Sequence, residues 1–135
     1  MHITGHCHCR AIRYEAEVDP ARVSACHCTD CQELTGTAFR LSIQALPGTF
    51  RLVAGTPRVY TKTGDSGRKR EQAFCELCGS PIYAASPGPE PRAYNVRLGT
   101  IDQRRELRPF RQIWTRSRLP WLDEIARCPD PESDV

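Results

Sequence analysis

With 135 residues, 9 glycines, 11 prolines and a formal net charge of +3, the chain is too short for two sizeable cores and too rich in turns for long helices. That small positive charge also argues against a general nucleic-acid surface, the more so because two divalent cations on seven thiolates would cancel it. No stretch approaches the roughly 18 apolar residues that span a bilayer, and the first residues lack the basic and apolar segments of a secretory signal. A soluble, cytoplasmic protein is therefore expected, with eight cysteines held reduced and grouped for metal rather than for disulfides.

Cys7-His8-Cys9 stands near the start, and residues 11–17 behind it alternate as a half-buried strand does. His2, His6 and His8 are read as exposed polar side chains rather than ligands. Asp19-Pro20 makes a turn, and Val23 to Ala25 form a second strand that delivers Cys26 at its end. Cys26-His27-Cys28-Thr29-Asp30-Cys31 then places three thiols within reach of a single zinc ion, at spacings that cost little chain entropy. Thr29 with Gln32 reads as a capping box opening a short helix that Gly36 ends. Cys31 falls in its first turn, where backbone amides and the helix dipole favour a thiolate. Three ligands leave one tetrahedral position for water or substrate, which is the mark of a working zinc. A fourth ligand from His27, Cys128 or a more distant cysteine would instead make a closed, structural site.

Strands are expected at 38–43, 51–54, 58–62 and 68–74, the last two joined by a hairpin through Gly64 to Gly67. Lys69 and Arg70 there read as a solvated face. Cys75-Glu-Leu-Cys78-Gly79 is a zinc knuckle holding half a site, completed either by Cys7 with Cys9 or by two of the central cysteines. The set Cys7, Cys9, Cys75 and Cys78 is preferred, because it uses every pair and leaves the central triad whole. Strands at 82–85 and 93–98 flank a proline-rich loop; residues 104–108 read as a solvated loop, and a last strand is expected at 110–115. Trp114-Thr-Arg116-Ser-Arg118 sets two guanidiniums beside an indole. Residues 1–128 read as one domain, Cys128 as a free thiol, and 129–135 as a frayed tail.

These motifs together resemble the glutathione-dependent formaldehyde-activating enzyme family, also called centromere-protein-V-like. The resemblance rests on Cys7-His-Cys9, the 26–31 cluster with Leu34-Thr-Gly36 and Ala38-Phe39, Cys75 to Pro81, Gly99 with Asp102, and Ile113 to Arg118 with Trp121. It runs from about residue 5 to about residue 121 and implies an all-β, zinc-bearing Mss4-like fold of small antiparallel sheets with one short helix. It also implies two zinc ions per chain. Cys7, Cys9, Cys75 and Cys78 match the structural ligands, and Cys26, Cys28 and Cys31 match the catalytic ones. The chain is shorter than the formaldehyde-activating members proper.

Zinc on three thiolates carries a net charge of −1, which suits binding an incoming thiol better than activating water. By resemblance the thiol is glutathione, the product S-(hydroxymethyl)glutathione, and the reaction that of a carbon–sulfur lyase. Glutathione has two carboxylates, so Arg116 and Arg118 beside Trp114 are the first candidates to contact it. The rival expectation is a non-catalytic, zinc-stabilised module that contacts a protein or nucleic acid. Monomer and homodimer both fit the sequence.

Overall fold

The computed structural model describes residues 1–130. Five strands lie in the first half of the chain: β1 (His2–His6), β2 (Arg13–Glu17), β3 (Ser24–Cys26), β4 (Arg40–Gln44) and β5 (Arg51–Ala54). Five more follow: β6 (Arg58–Thr63), β7 (Lys69–Phe74), β8 (Pro81–Ala85), β9 (Asn95–Arg97) and β10 (Arg111–Ile113). Among the described residues the one α-helix is α1 (Thr29–Thr35), and short 3-10 turns fill several connections. The architecture is mainly β, as expected, and no helix is long and apolar enough to cross a membrane. Of the expected tail, residues 131–135 lie outside the described residues.

The strands form a three-stranded sheet, β1-β2-β5, and a seven-stranded sheet, β10-β3-β4-β9-β8-β7-β6. Alternation explains β2, whose Tyr14 and Ala16 turn inward while Arg13 and Glu15 face outward or to the margin. β8 is different: Ile82 to Ala85 are all buried, because a central strand is covered on both faces. One hydrophobic cluster draws on both sheets, including Ile3 and Tyr14 from the first and Ile43, Ile82 and Val96 from the second. Two isolated antiparallel bridges, Gly5 with Ile101 and Val18 with Ala45, tie the sheets together.

Two departures from expectation bear on the site. β1 has no counterpart among the expected strands, and it places Cys7 and Cys9 in the turn that joins it to β2 within the smaller sheet. β10 pairs with β3 in parallel, not antiparallel, with Ile113 opposite Cys26. A parallel neighbour needs a long crossover, which the six intervening strands and α1 supply. The expected β6–β7 hairpin forms, its turn closed by the Gly64 amide donating to the Arg68 carbonyl at 2.9 Å.

Candidate metal centres

The sulfurs of Cys7, Cys9, Cys75 and Cys78 all lie within 4.8 Å of one another. Two of the edges measure 3.6 Å (Cys7 to Cys9) and 3.7 Å (Cys9 to Cys75). Four thiolates about 2.3 Å from a tetrahedral zinc stand about 3.8 Å apart, so the donor set and its spacing fit that ion. Disulfide sulfurs would be about 2.05 Å apart. Gly79 makes the knuckle turn at φ +77°, where its amide donates to the Cys75 carbonyl at 2.7 Å. The Ile12 amide donates to the Cys7 sulfur at 3.2 Å. The Ser80 hydroxyl, 3.2 Å from the Cys78 sulfur, leads in lowering that thiol to about 5. Cys9 moves the other way, to about 11: a backbone hydrogen bond from Ala11 lowers it, but desolvation and the neighbouring sulfurs outweigh that. Crowded thiols that cannot all ionise are what a divalent cation would relieve.

The second group is Cys26, Cys28 and Cys31, also within 4.8 Å of one another; among the described residues no fourth ligand type joins them. His27 is buried, its Nε2 2.8 Å from the Gln112 side-chain oxygen, and Cys128 is exposed near Glu124, so neither closes the sphere. Cys26 ends β3, Cys28 stands just before α1, and Cys31 lies in its first turn. The expected capping box is not formed. Cys28 is the N-cap, its sulfur accepting from the Cys31 amide at 3.3 Å, and Thr29 is already helical. Gln32 turns its amide the other way, donating to the carbonyls of His27 and Ser117 at 2.9 Å each. Gly36 ends the helix at φ +68°, as expected. The Cys31 thiol drops to about 5, first through the hydrogen bond from Cys26 and, against burial, with help from Cys28, Arg40 and Arg97. Cys26 is correspondingly pushed far up.

Arg40 and Arg97 were not singled out from the sequence. Arg40 lies opposite Cys26 across the β3–β4 ladder, and both guanidiniums are buried. Burial, then repulsion from Arg40, pulls Arg97 to about 9, still charged at neutral pH. The two arginines line a pocket of about 350 Å³ that also touches Leu34 of α1 and Gly79 and Pro81 of the knuckle, so it lies between the two sulfur groups. A larger cavity of about 630 Å³, lined by Phe50, Tyr83 and Tyr94, carries no cysteine. The only trace of Arg40 in the sequence is that it is the lone charge in the stretch 37–45.

Trp114 follows Ile113 directly, and the Gln32–Ser117 bond lays residues 114–117 against the start of α1. Trp114 adopts φ +57°, a strained conformation for a bulky residue, and is half exposed with Arg116 stacked 4.7 Å from its ring. Arg118 turns to Asp123, at 2.6 Å. Asp30 is engaged by Lys62 at 2.7 Å.

The profile of the family described as glutathione-dependent formaldehyde-activating enzyme matches residues 2–117. The chain belongs to that family. A crystal structure of a Rhodobacter sphaeroides protein is similar to this family member, with a TM-score of 0.61 and 21% identity, over 81% of this chain and 98% of that one. At that identity the likeness concerns the fold. No curated protein matches the chain.

Proposed function

We propose that this protein adds a thiol, glutathione, to an aldehyde, formaldehyde, to give the S-hydroxymethyl adduct, and runs the reverse cleavage as a carbon–sulfur lyase. The observation that carries it is the cluster of Cys26, Cys28 and Cys31, gathered without a fourth protein ligand among the described residues. A zinc ion held there would supply a Lewis-acidic centre with an open position for a thiol sulfur. Cys7, Cys9, Cys75 and Cys78 would hold a second, structural zinc.

In the forward direction the thiol loses its proton, its sulfur forms a bond to the aldehyde carbon, and the carbonyl π pair moves to oxygen, which takes up a proton. The chain's own part is to hold the reactants. Cys28 and Cys31 are fixed by the start of α1, and Cys26 by pairing on both sides of β3. The exposed Trp114 with Arg116 stacked on its ring would dock a glutathione carboxylate, with Arg118, two residues on, able to join them by giving up Asp123. His27 packs against Phe39 with its Nε2 beside Gln112 and its Nδ1 unpartnered, and Asp30 is paired with Lys62; in this reading the proton is exchanged with solvent.

The test is a titration of the cobalt-substituted protein with glutathione, alongside NMR detection of the S-hydroxymethyl adduct from formaldehyde. A saturable change in the cobalt–thiolate bands, with faster adduct formation, is the expected outcome. Bands that stay fixed and an uncatalysed rate would remove the thiol reading. The second reading, a zinc-stabilised binding module, would then stand on the exposed Phe110, Trp114 and Trp121 of the C-terminal stretch.

A further inference from the structure

The pocket between the two sulfur groups contains two cations and no anion. Arg40 is 6% exposed and Arg97 is 9% exposed. Arg97 donates to Ser42 Oγ at 2.9 Å and to Gln72 Oε1 at 2.7 Å, both neutral acceptors, and its Nε is left without a partner. Arg40 is barer still: its Nε is buried and unpartnered, and among the described residues neither guanidinium is ion-paired to a carboxylate. Removing a guanidinium from water without a counter-ion is among the least favourable things a fold can do. Zinc on the triad would contribute −1 against the +2 of the pair, so a positive charge remains unanswered. The unused donors belong to planar forks that match the two oxygens of a carboxylate better than they match a single sulfur. Around them the pocket is largely apolar, with Leu34, Phe74 and Pro81 as walls, and its volume of about 350 Å³ falls within the roughly 300–1,000 Å³ usual for small-ligand sites.

We propose that Arg40 and Arg97 form an internal carboxylate subsite, which holds one acid group of the thiol substrate while its sulfur reaches Cys26, Cys28 and Cys31. The subsite rests on the thiol-addition reading only for what the carboxylate is attached to. It acts at a different place from Trp114 and Arg116, and a thiol with two acid groups would use both.

The test separates carboxylate from thiol. S-methylglutathione, whose sulfur is blocked, and its dimethyl ester are titrated calorimetrically into the zinc-loaded protein. Saturable binding of the acid is expected, at least tenfold tighter than the ester. Arg40→Gln is expected to erase most of that difference, and Arg40→Lys to restore only part of it, since a lysine keeps the charge but not the fork. Because Arg40 is buried, Leu34→Trp serves as a second variant: it narrows the pocket from a half-exposed helix position and is expected to weaken acid binding at least fivefold with the circular dichroism unchanged. Equal affinity for acid and ester overturns the proposal, as do absence of saturable binding and wild-type affinity in folded Arg40→Gln. Binding of the blocked acid beside an unresponsive cobalt spectrum would sink the thiol reading and keep the subsite. The opposite pair of results would do the reverse.

Discussion

Cys31 and Cys75 are the same side chain in two different mechanical settings. Cys75 lies within the hydrophobic cluster at 1% exposure, whereas none of Cys26, Cys28 and Cys31 belongs to that cluster. Cys31→Ser is therefore expected to lower bound zinc from about two to about one per chain and to abolish adduct formation, while the melting temperature moves by only a few degrees, about 1 kcal/mol or less for a domain this size. Cys75→Ser is expected to cost both a zinc and the cooperative transition; metal analysis with calorimetry distinguishes the two. Gly5 is a residue-scale constraint of another kind. A Cβ there would stand 2.2 Å from the Tyr14 ring and 2.6 Å from the Thr100 carbonyl oxygen, and Tyr14 is pinned by its hydroxyl, 2.8 Å from Thr100 Oγ1. Gly5→Ala should destabilise by about 3 kcal/mol, the upper end for overpacking, measurable as a lower urea midpoint with an unchanged slope.

At the scale of elements, α1 is too short to be stable by itself, so its position depends on tethers at both ends. Gln32 is the tether at the metal end, joining the helix to the carbonyls of His27 and Ser117 at once. Gln32→Ala is expected to weaken zinc at the triad by roughly 10- to 100-fold, the usual cost of losing a supporting hydrogen bond, and to leave the four-cysteine site untouched. Competition with a chromophoric chelator checks this; equal weakening of both sites would contradict it. The tether also shows how a local sequence pattern gives the outline of this helix and not its detail. Thr29 and Gln32 have the spacing of a capping box, but a sulfur already oriented by its neighbours takes the cap and frees the glutamine for a contact 85 residues away. The cysteine spacings and most strands are local signals and were legible. β1 was not, because its inward positions are only Ile3 and Gly5 between histidines and a threonine. Arg40 and Arg97 were not either: a guanidinium in a short strand looks solvated until the fold brings Ser42, Gln72 and the pocket around it.

Taken as a whole molecule, the two sulfur groups do unequal work. Cys7 and Cys9 follow β1 of the smaller sheet, and Cys75 and Cys78 join β7 to β8 of the larger one, so a metal there would clamp the sheets across 66 residues of chain. The triad clamps only the end of β3 to a seven-residue helix. Zinc should therefore leave in two stages under a chelator of rising strength. The first equivalent, from the open and partly exposed triad, is expected to depart with little change in circular dichroism. The second should depart together with the β signal, because its binding free energy is in large part folding free energy. Acid should follow the same order of consequence. The Cys31 and Cys78 thiols are lowered from 9.0 to about 5, so their contribution is full above pH 9 and is lost as the pH falls through about 5. Bound cation lowers the folded-state values further and moves the loss to more acid pH. A chromophoric zinc indicator read beside circular dichroism follows both titrations. Release of both equivalents in one step, or a β signal that survives loss of the second, would show that the four-cysteine group does not hold the sheets together.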